Sequence, residues 1–211
     1  MSVAQLFLKG GPIMWLIMLC SCVSLAVVIN RFKYFSLVPA NEYLLRSKVF
    51  ELTKQNKIKD ALVLCEKTST PAARILKAGI LCFGRQSVFI KEAVETAGHL
   101  EIVAMERNLM GLSTVTHVAP LLGLLGTMLG LANSFFVIQS RSLALNPVTS
   151  GDIAGGIWQA ILTTIFGLMI SIPSMLFYNY FVYRIDDFVS QYEQMSMEFL
   201  NLVALSADDQ S

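Results

Sequence analysis

Three stretches of the chain run without a formal charge for longer than a buried soluble helix requires. The first extends from about Pro12 to Ile29 and is closed by Arg31 and Lys33, the second from Leu112 to Ile138, and the third from Ile153 to Tyr183 between Asp152 and Arg184. About 20 apolar residues cross a hydrocarbon core of ~30 Å. Each stretch is long enough, the first when Phe32 to Leu37 is counted as its interfacial end. A soluble protein with buried helices would not carry three such runs in one short chain. Between the first two runs the pattern changes to amphipathic. Tyr43, Leu44, Val49, Phe50 and Leu52, then Ile58, Ala61, Leu62, Leu64 and Cys65, then Ala72, Ile75, Leu76, Ile80, Leu81 and Phe83 recur at helical spacing and predict three helices. Asn56-Lys57 supplies a turn, Thr68-Ser69-Thr70-Pro71 an N-cap with proline at the first helical position, and Gly84 a stop. From Ser87 no proline occurs before Pro120, and only Gly98 and Gly111 weaken the helix, so it is expected to run unbroken into the second span. Beyond the third span, Ile185, Phe188, Val189, Tyr192, Met195, Phe199 and Leu202 extend that helix in turn. The expected fold class is an all-α membrane protein with three transmembrane helices and long cytoplasmic helical extensions.

Composition agrees, because 55% of the residues are hydrophobic, which is too apolar for an ordinary soluble globule. A net charge of +1 gives no reason to expect nucleic acid as a partner. The distribution of charge is more informative. Of the 16 Lys and Arg, all but Lys9, Arg141 and Arg184 lie between the first and second runs. Cytoplasmic flanks are enriched in these residues, which makes residues 38–111 a cytoplasmic helical region. Residues 1–11 are then a periplasmic N-terminal segment, 12–37, 112–138 and 153–183 the three spans, 139–152 a periplasmic loop, and 184–211 a cytoplasmic helix and tail. The first run has no small-x-small cleavage site and reads as a retained anchor. The four cysteines show neither disulfide nor zinc-ligand spacing and are expected as free, mostly buried thiols.

The chemistry must lie in the spans. Thr116, Pro120, Gly123, Thr127, Gly130 and Ser134 follow one another at three- and four-residue steps in the second, placing small and weakly polar groups along one stripe. Gly126 and Gly130 form a small-xxx-small pair suited to close helix packing. Gln159, Thr163, Gly167, Ser171 and Ser174 make a similar stripe in the third, with Thr164 beside it. Serine and threonine hydroxyls often bond only the carbonyl one turn back, yet a whole face of them suits a wet interior better than lipid. No Asp, Glu, Lys or Arg lies in any of the three charge-free runs, and His117 is the one titratable imidazole there, near the cytoplasmic entrance, where an interfacial or packing role is expected. A group that carries protons through the membrane must change protonation, so the acid is expected to arrive on another polypeptide.

Ala119-Pro120-Leu121-Leu122-Gly123-Leu124-Leu125-Gly126-Thr127-Met128-Leu129-Gly130 resembles the signature APLLGLLGTVxGM of the ExbB/TolQ/MotA proton-channel family. Gln159-Ala160-Ile161-Leu162-Thr163-Thr164-Ile165-Phe166-Gly167-Leu168, followed by Ile172-Pro173-Ser174 and Tyr178-Asn179, is similar to its EALxxTAxGLxxAIPAxxxYN, and the Ala61 to Gly79 stretch is similar to its cytoplasmic loop. The resemblance implies a multi-pass subunit of the bacterial inner membrane, N-terminus periplasmic and C-terminus cytoplasmic. It further implies a homopentamer enclosing the single transmembrane helices of an ExbD/TolR-like dimer, whose aspartate takes up and releases protons, and a TonB- or TolA-like protein that receives the force. On the same ground Thr127 and Thr164 match pore-facing threonines, and Pro120 and Pro173 match helix-distorting prolines. The expected proton pathway comprises Thr127, Thr164, Gln159, Thr163 and Ser134; Pro120, Gly123, Gly126, Gly130, Gly167 and Pro173 are expected to serve helix packing and partner contact. Gln159 replaces the glutamate of the family pattern and cannot release a proton, which favours hydroxyl-and-water passage and leaves sodium open as coupling ion. The lack of a large cytoplasmic insertion argues against the flagellar branch.

Two further readings compete with a motor subunit. A passive membrane scaffold would use the small-residue stripes only to pack helices, and a self-sufficient channel would depend on His117. No nucleophile with a base, no metal-ligand set and no phosphate loop is present, since Gly123-Leu124-Leu125-Gly126 lacks the Lys-Ser/Thr of a P-loop. No enzyme, cofactor or metal is expected, and lipid is the expected surroundings.

Overall fold

Helix lengths follow directly from the apolar runs. The computed structural model describes residues 11–37, 39–143, 147 and 149–208, and every element among them is helical: α1 (Ile13–Leu37), α2 (Pro39–Lys54), α3 (Ile58–Lys67), α4 (Pro71–Leu81), α5 (Ser87–Glu106), α6 (Leu109–Leu143) and α7 (Ser150–Asp208). Three helical stretches, Ile13–Phe35, Ser87–Leu143 and Ile153–Val203, are long and apolar enough to cross a membrane, one at each run read from the sequence. Residues 1–10 of the expected N-terminal segment and residues 144–146 and 148 of the expected second loop lie outside the described residues. α7 is 59 residues long, about three times what one crossing needs, so the third span and residues 184–208 share one helix, as the periodicity implied. The expected unbroken helix from Ser87 is instead divided at Arg107-Asn108, and neither Gly98 nor Gly111 interrupts it. The break is shallow. Arg107 keeps helical angles (φ −47°, ψ −42°) and its N–H still bonds Val103 O at 3.0 Å.

The chain divides into two compact units. One comprises residues up to Ile29 together with Leu109–Tyr180, the other Asn30–Asn108 together with residues from Phe181. In the first, α1 turns Met14, Ile17, Cys20 and Ser24 inward, at the three- and four-residue steps of one helix face. Cys20 packs with Val115 and Ala119, flanked by Leu122 and Ile170. The opposite face shows Trp15, Leu16, Leu19 and Leu25 to the outside, as a lipid-facing helix does.

In the second unit, Glu42, Arg46 and Phe50 of α2 meet Tyr192, Glu198 and Phe199 of α7 in that order, so these helices run side by side in the same direction. Phe35 stacks on Phe181 and Phe188 at 5.7 and 5.8 Å. The α2–α3 turn places Asn56 at φ 59°, and Gly84 at φ 85° lies between α4 and α5. Thr70 caps α4, its hydroxyl accepting from Ala73 N at 3.3 Å, with Pro71 opening the helix. Val49, Ala61, Cys65, Ala72, Ile75, Leu76, Ile80, Ile90 and Val94 are buried. All four cysteines are free; Cys20 and Cys65 are buried, Cys82 is half-buried and Cys22 is exposed.

Candidate functional site: the α6–α7 seam and its open edge

Small residues on α6 and α7 face one another and bring the two backbones together. A Cβ added at Gly123 would lie 3.1 Å from both Thr163 O and Thr164 Cα, one at Gly130 would lie 2.8 Å from Gly156 O, and one at Gly167 would lie 2.7 Å from Ala119 O. At Gly126 the added atom would collide with the Thr163 side chain, and at Gly156 with Ser134 Oγ. The close approach of the helices therefore depends on glycine at these positions. Gly156 joins Ala160, Thr163 and Gly167 at the small-residue spacing on α7 and was absent from the residues singled out by sequence, although that spacing could have revealed it.

Pro120 interrupts the ladder inside α6. Without an N–H it leaves the carbonyl of Thr116 lacking its usual donor, and the buried Ser171 hydroxyl donates to that oxygen at 2.7 Å. Each carbonyl left unpaired in hydrocarbon is costly, so Ser171 makes the proline tolerable. About 60° around α7 from Ser171, Ser174 and Ser24 share a buried hydrogen bond of 2.6 Å, and Ser174 Oγ donates to Ile170 O at 2.7 Å. Pro173 itself is exposed. It lies among the residues lining a groove between α1 and α7.

The structure divides the five expected pathway residues among three environments. Thr163 and Ser134 are sealed within the seam at 1% and 4% exposure. Thr163 Oγ1 donates to Ala160 O at 2.8 Å and Ser134 Oγ to Gly130 O at 3.2 Å. Thr127 and Thr164 are half-buried at the seam's edge. Thr164 Oγ1 donates across to Gly123 O at 3.2 Å, one turn before Thr127, whose own Oγ1 donates to Leu124 O at 2.6 Å. At 3.6 residues per turn, Thr127 lies about 140° around α6 from Leu122, and Thr164 about 120° around α7 from Ile170. Leu122 and Ile170 pack against the cluster that Cys20 of α1 forms with Val115 and Ala119, so both threonines occupy the edge turned away from that contact with α1, with Pro120 half-buried beside them. Gln159 is elsewhere. It lies about 140° around α7 from Thr164 and packs against Gly11 at the start of α1, where φ is 73° and a side chain would meet Gln159 Nε2.

The edge can bind and orient but cannot itself titrate. Each threonine oxygen keeps a lone pair after donating its proton, so it can accept from water or from a protonated carboxylic acid. His117 is exposed and its Nδ1 lies 2.8 Å from Ser113 O one turn back, a local bond within α6. Among the described residues no group of three or more His, Cys, Asp or Glu could hold a metal.

Comparison with known proteins gives a consistent picture. Residues 67–194 match the model of the MotA/TolQ/ExbB proton channel family. The chain is 29% identical to an ExbB-like 3 protein of Synechocystis sp., over 82% of each chain. It is 30% identical to the biopolymer transport protein ExbB of Pseudomonas putida, over 84% of this chain and 55% of that relative. Its identity to the Tol-Pal system protein TolQ of Haemophilus influenzae is 25%, over 94% of this chain and 92% of that one.

Proposed function

Because the chain belongs to the MotA/TolQ/ExbB proton channel family, we propose that it is an ExbB/TolQ-like subunit of a motor driven by the proton-motive force in the bacterial inner membrane. Five copies form a ring with the Thr127–Thr164 edges turned inward, around the paired single helices of an ExbD/TolR-like partner. The partner supplies a carboxylic acid, and the two hydroxyls, with water, pass protons to and from it. Movement of the partner transmits force to a TonB- or TolA-like protein for outer-membrane transport or envelope maintenance. The N-terminus is periplasmic and residues 38–111 and 184–211 are cytoplasmic.

One observation carries this reading: the half-buried hydroxyls lie on the edge of α6 and α7 turned away from the α1 contact, in spans that have no ionisable carboxylate of their own. A sealed seam, and the Thr164 bond across to Gly123 O, would serve a scaffold equally well, whereas the half-buried Thr127 hydroxyl bonds back to Leu124 O of its own helix and ties no helices together. Thr127→Ala combined with Thr164→Ala is expected to leave ring assembly and partner binding intact while abolishing work driven by the proton gradient. Full activity in that double variant, with Gly126→Leu alone disrupting assembly, would favour the passive scaffold.

A further inference from the structure

In the second unit, the carboxylate of Glu42 is held between three helices. Its Oε1 accepts from Tyr192 OH of α7 at 3.0 Å and from Ala72 N, in the first turn of α4, at 3.4 Å. A cavity of about 110 Å³, lined by Glu42, Arg46, Ala72, Gln191, Tyr192 and Met195 among others, opens beside it. One water needs only ~10–15 Å³ of such space, so solvent can carry a proton to and from this oxygen.

Both neighbouring cations are engaged elsewhere. Arg46 pairs with Glu198 at 2.5 Å, and Arg74 grips Glu101 through Nε and Nη2 at 2.5 and 2.6 Å. Tyr34 of α1 adds a phenol to the surroundings, and Glu101 of α5 adds a second carboxylate whose field reaches Tyr34. Among the described residues, Glu42 is thus a partly buried carboxylate without a cation of its own, an arrangement that disfavours the ionised form.

We propose that Glu42 is a proton-binding site whose occupancy sets how firmly α2 is held to α4 and α7. The proposal stands on this junction alone and does not depend on the transport role assigned above. Burial raises the Glu42 pKa, against the opposing pull of the Tyr192 and Ala72 hydrogen bonds and of Arg74. With the folded value above the unfolded one, the folded junction binds the proton more tightly than the unfolded chain does. Its stabilisation is therefore complete below the ordinary glutamate range and is lost as pH rises through the raised value. Each unit between the two values changes the opening equilibrium about tenfold.

The test uses the full chain in lipid nanodiscs. Infrared titration is expected to show a protonated carboxyl band, absent from Glu42→Gln, that persists to higher pH than the bands of exposed glutamates. Amide-exchange protection across Ala72 to Leu76, corrected for intrinsic rates, should fall through the same midpoint in the wild type and stay flat in Glu42→Gln. Tyr192→Phe removes a bond that favours ionisation, so its midpoint should move upward, which keeps the proposal testable if Glu42→Gln fails to fold. A band that vanishes together with those of exposed carboxylates, identical protection profiles for wild type and Glu42→Gln, or an unmoved midpoint in Tyr192→Phe would overturn it.

Discussion

Replacing Ser171 by alanine isolates what one hydroxyl does for the α6–α7 seam. The substitution removes the 2.7 Å bond to Thr116 O and leaves a carbonyl that Pro120 has already deprived of its helical donor. An unpaired buried polar group costs about 1–3 kcal/mol, while hydrogen bonds between transmembrane helices reach about 1.7. The expected loss is therefore about 1–2 kcal/mol, or about 5- to 30-fold in the unfolding equilibrium. Reversible unfolding in mixed detergent micelles, followed by tryptophan fluorescence, measures it. A double-mutant cycle with Pro120→Ala supplies the decisive comparison, because restoring the N–H at 120 gives Thr116 O its own donor back. Ser171→Ala should then cost less than half as much as in the wild type. An equal cost in both backgrounds would refute the link between the proline and the serine.

Two further outcomes follow from packing and burial in the second unit. Gly79→Ala would set a Cβ 2.6 Å from Phe199 Cε1 and 2.8 Å from Val94 Cγ2; with Phe199 fully buried and stacked on Phe50, overpacking should lower stability by about 1–3 kcal/mol, read as a lower melting temperature. Burial pushes the Cys65 thiol up to about 11, with Lys77 drawing it back somewhat. Its thiolate fraction at pH 7 is then about 10⁻⁴, against about 3% for an ordinary thiol. Maleimide labelling followed by mass spectrometry should find Cys65 modified at least tenfold more slowly than Cys82 in the folded protein and at the same rate once unfolded. Equal rates in the folded protein would contradict its burial.

How much of this was legible in the sequence depends on the distance over which each feature is decided. Span number and approximate extent are properties of local runs, and so are the Thr70-Pro71 cap and the amphipathic helices between the first two spans. The small-residue steps also identified close helix packing, because Gly126 and Gly130 could be recognised from spacing alone. Gly156 was missed although its spacing to Ala160, Thr163 and Gly167 was on view; that it meets Gly130 and Ser134 appears only when α7 is laid against α6.

A helical pattern gives each residue an angle on its own helix and says nothing about which angle meets which neighbour. The chain by itself therefore determined three spans with polar stripes and no acid within them. Tertiary structure alone separated Thr127 and Thr164 at the open edge from Thr163 and Ser134 in the seam, and turned Gln159 toward Gly11. It also joined Ser171 to a carbonyl 55 positions away and Glu42 to a phenol 150 positions away. Those pairings arise from the packing of whole helices, which no local window of sequence contains.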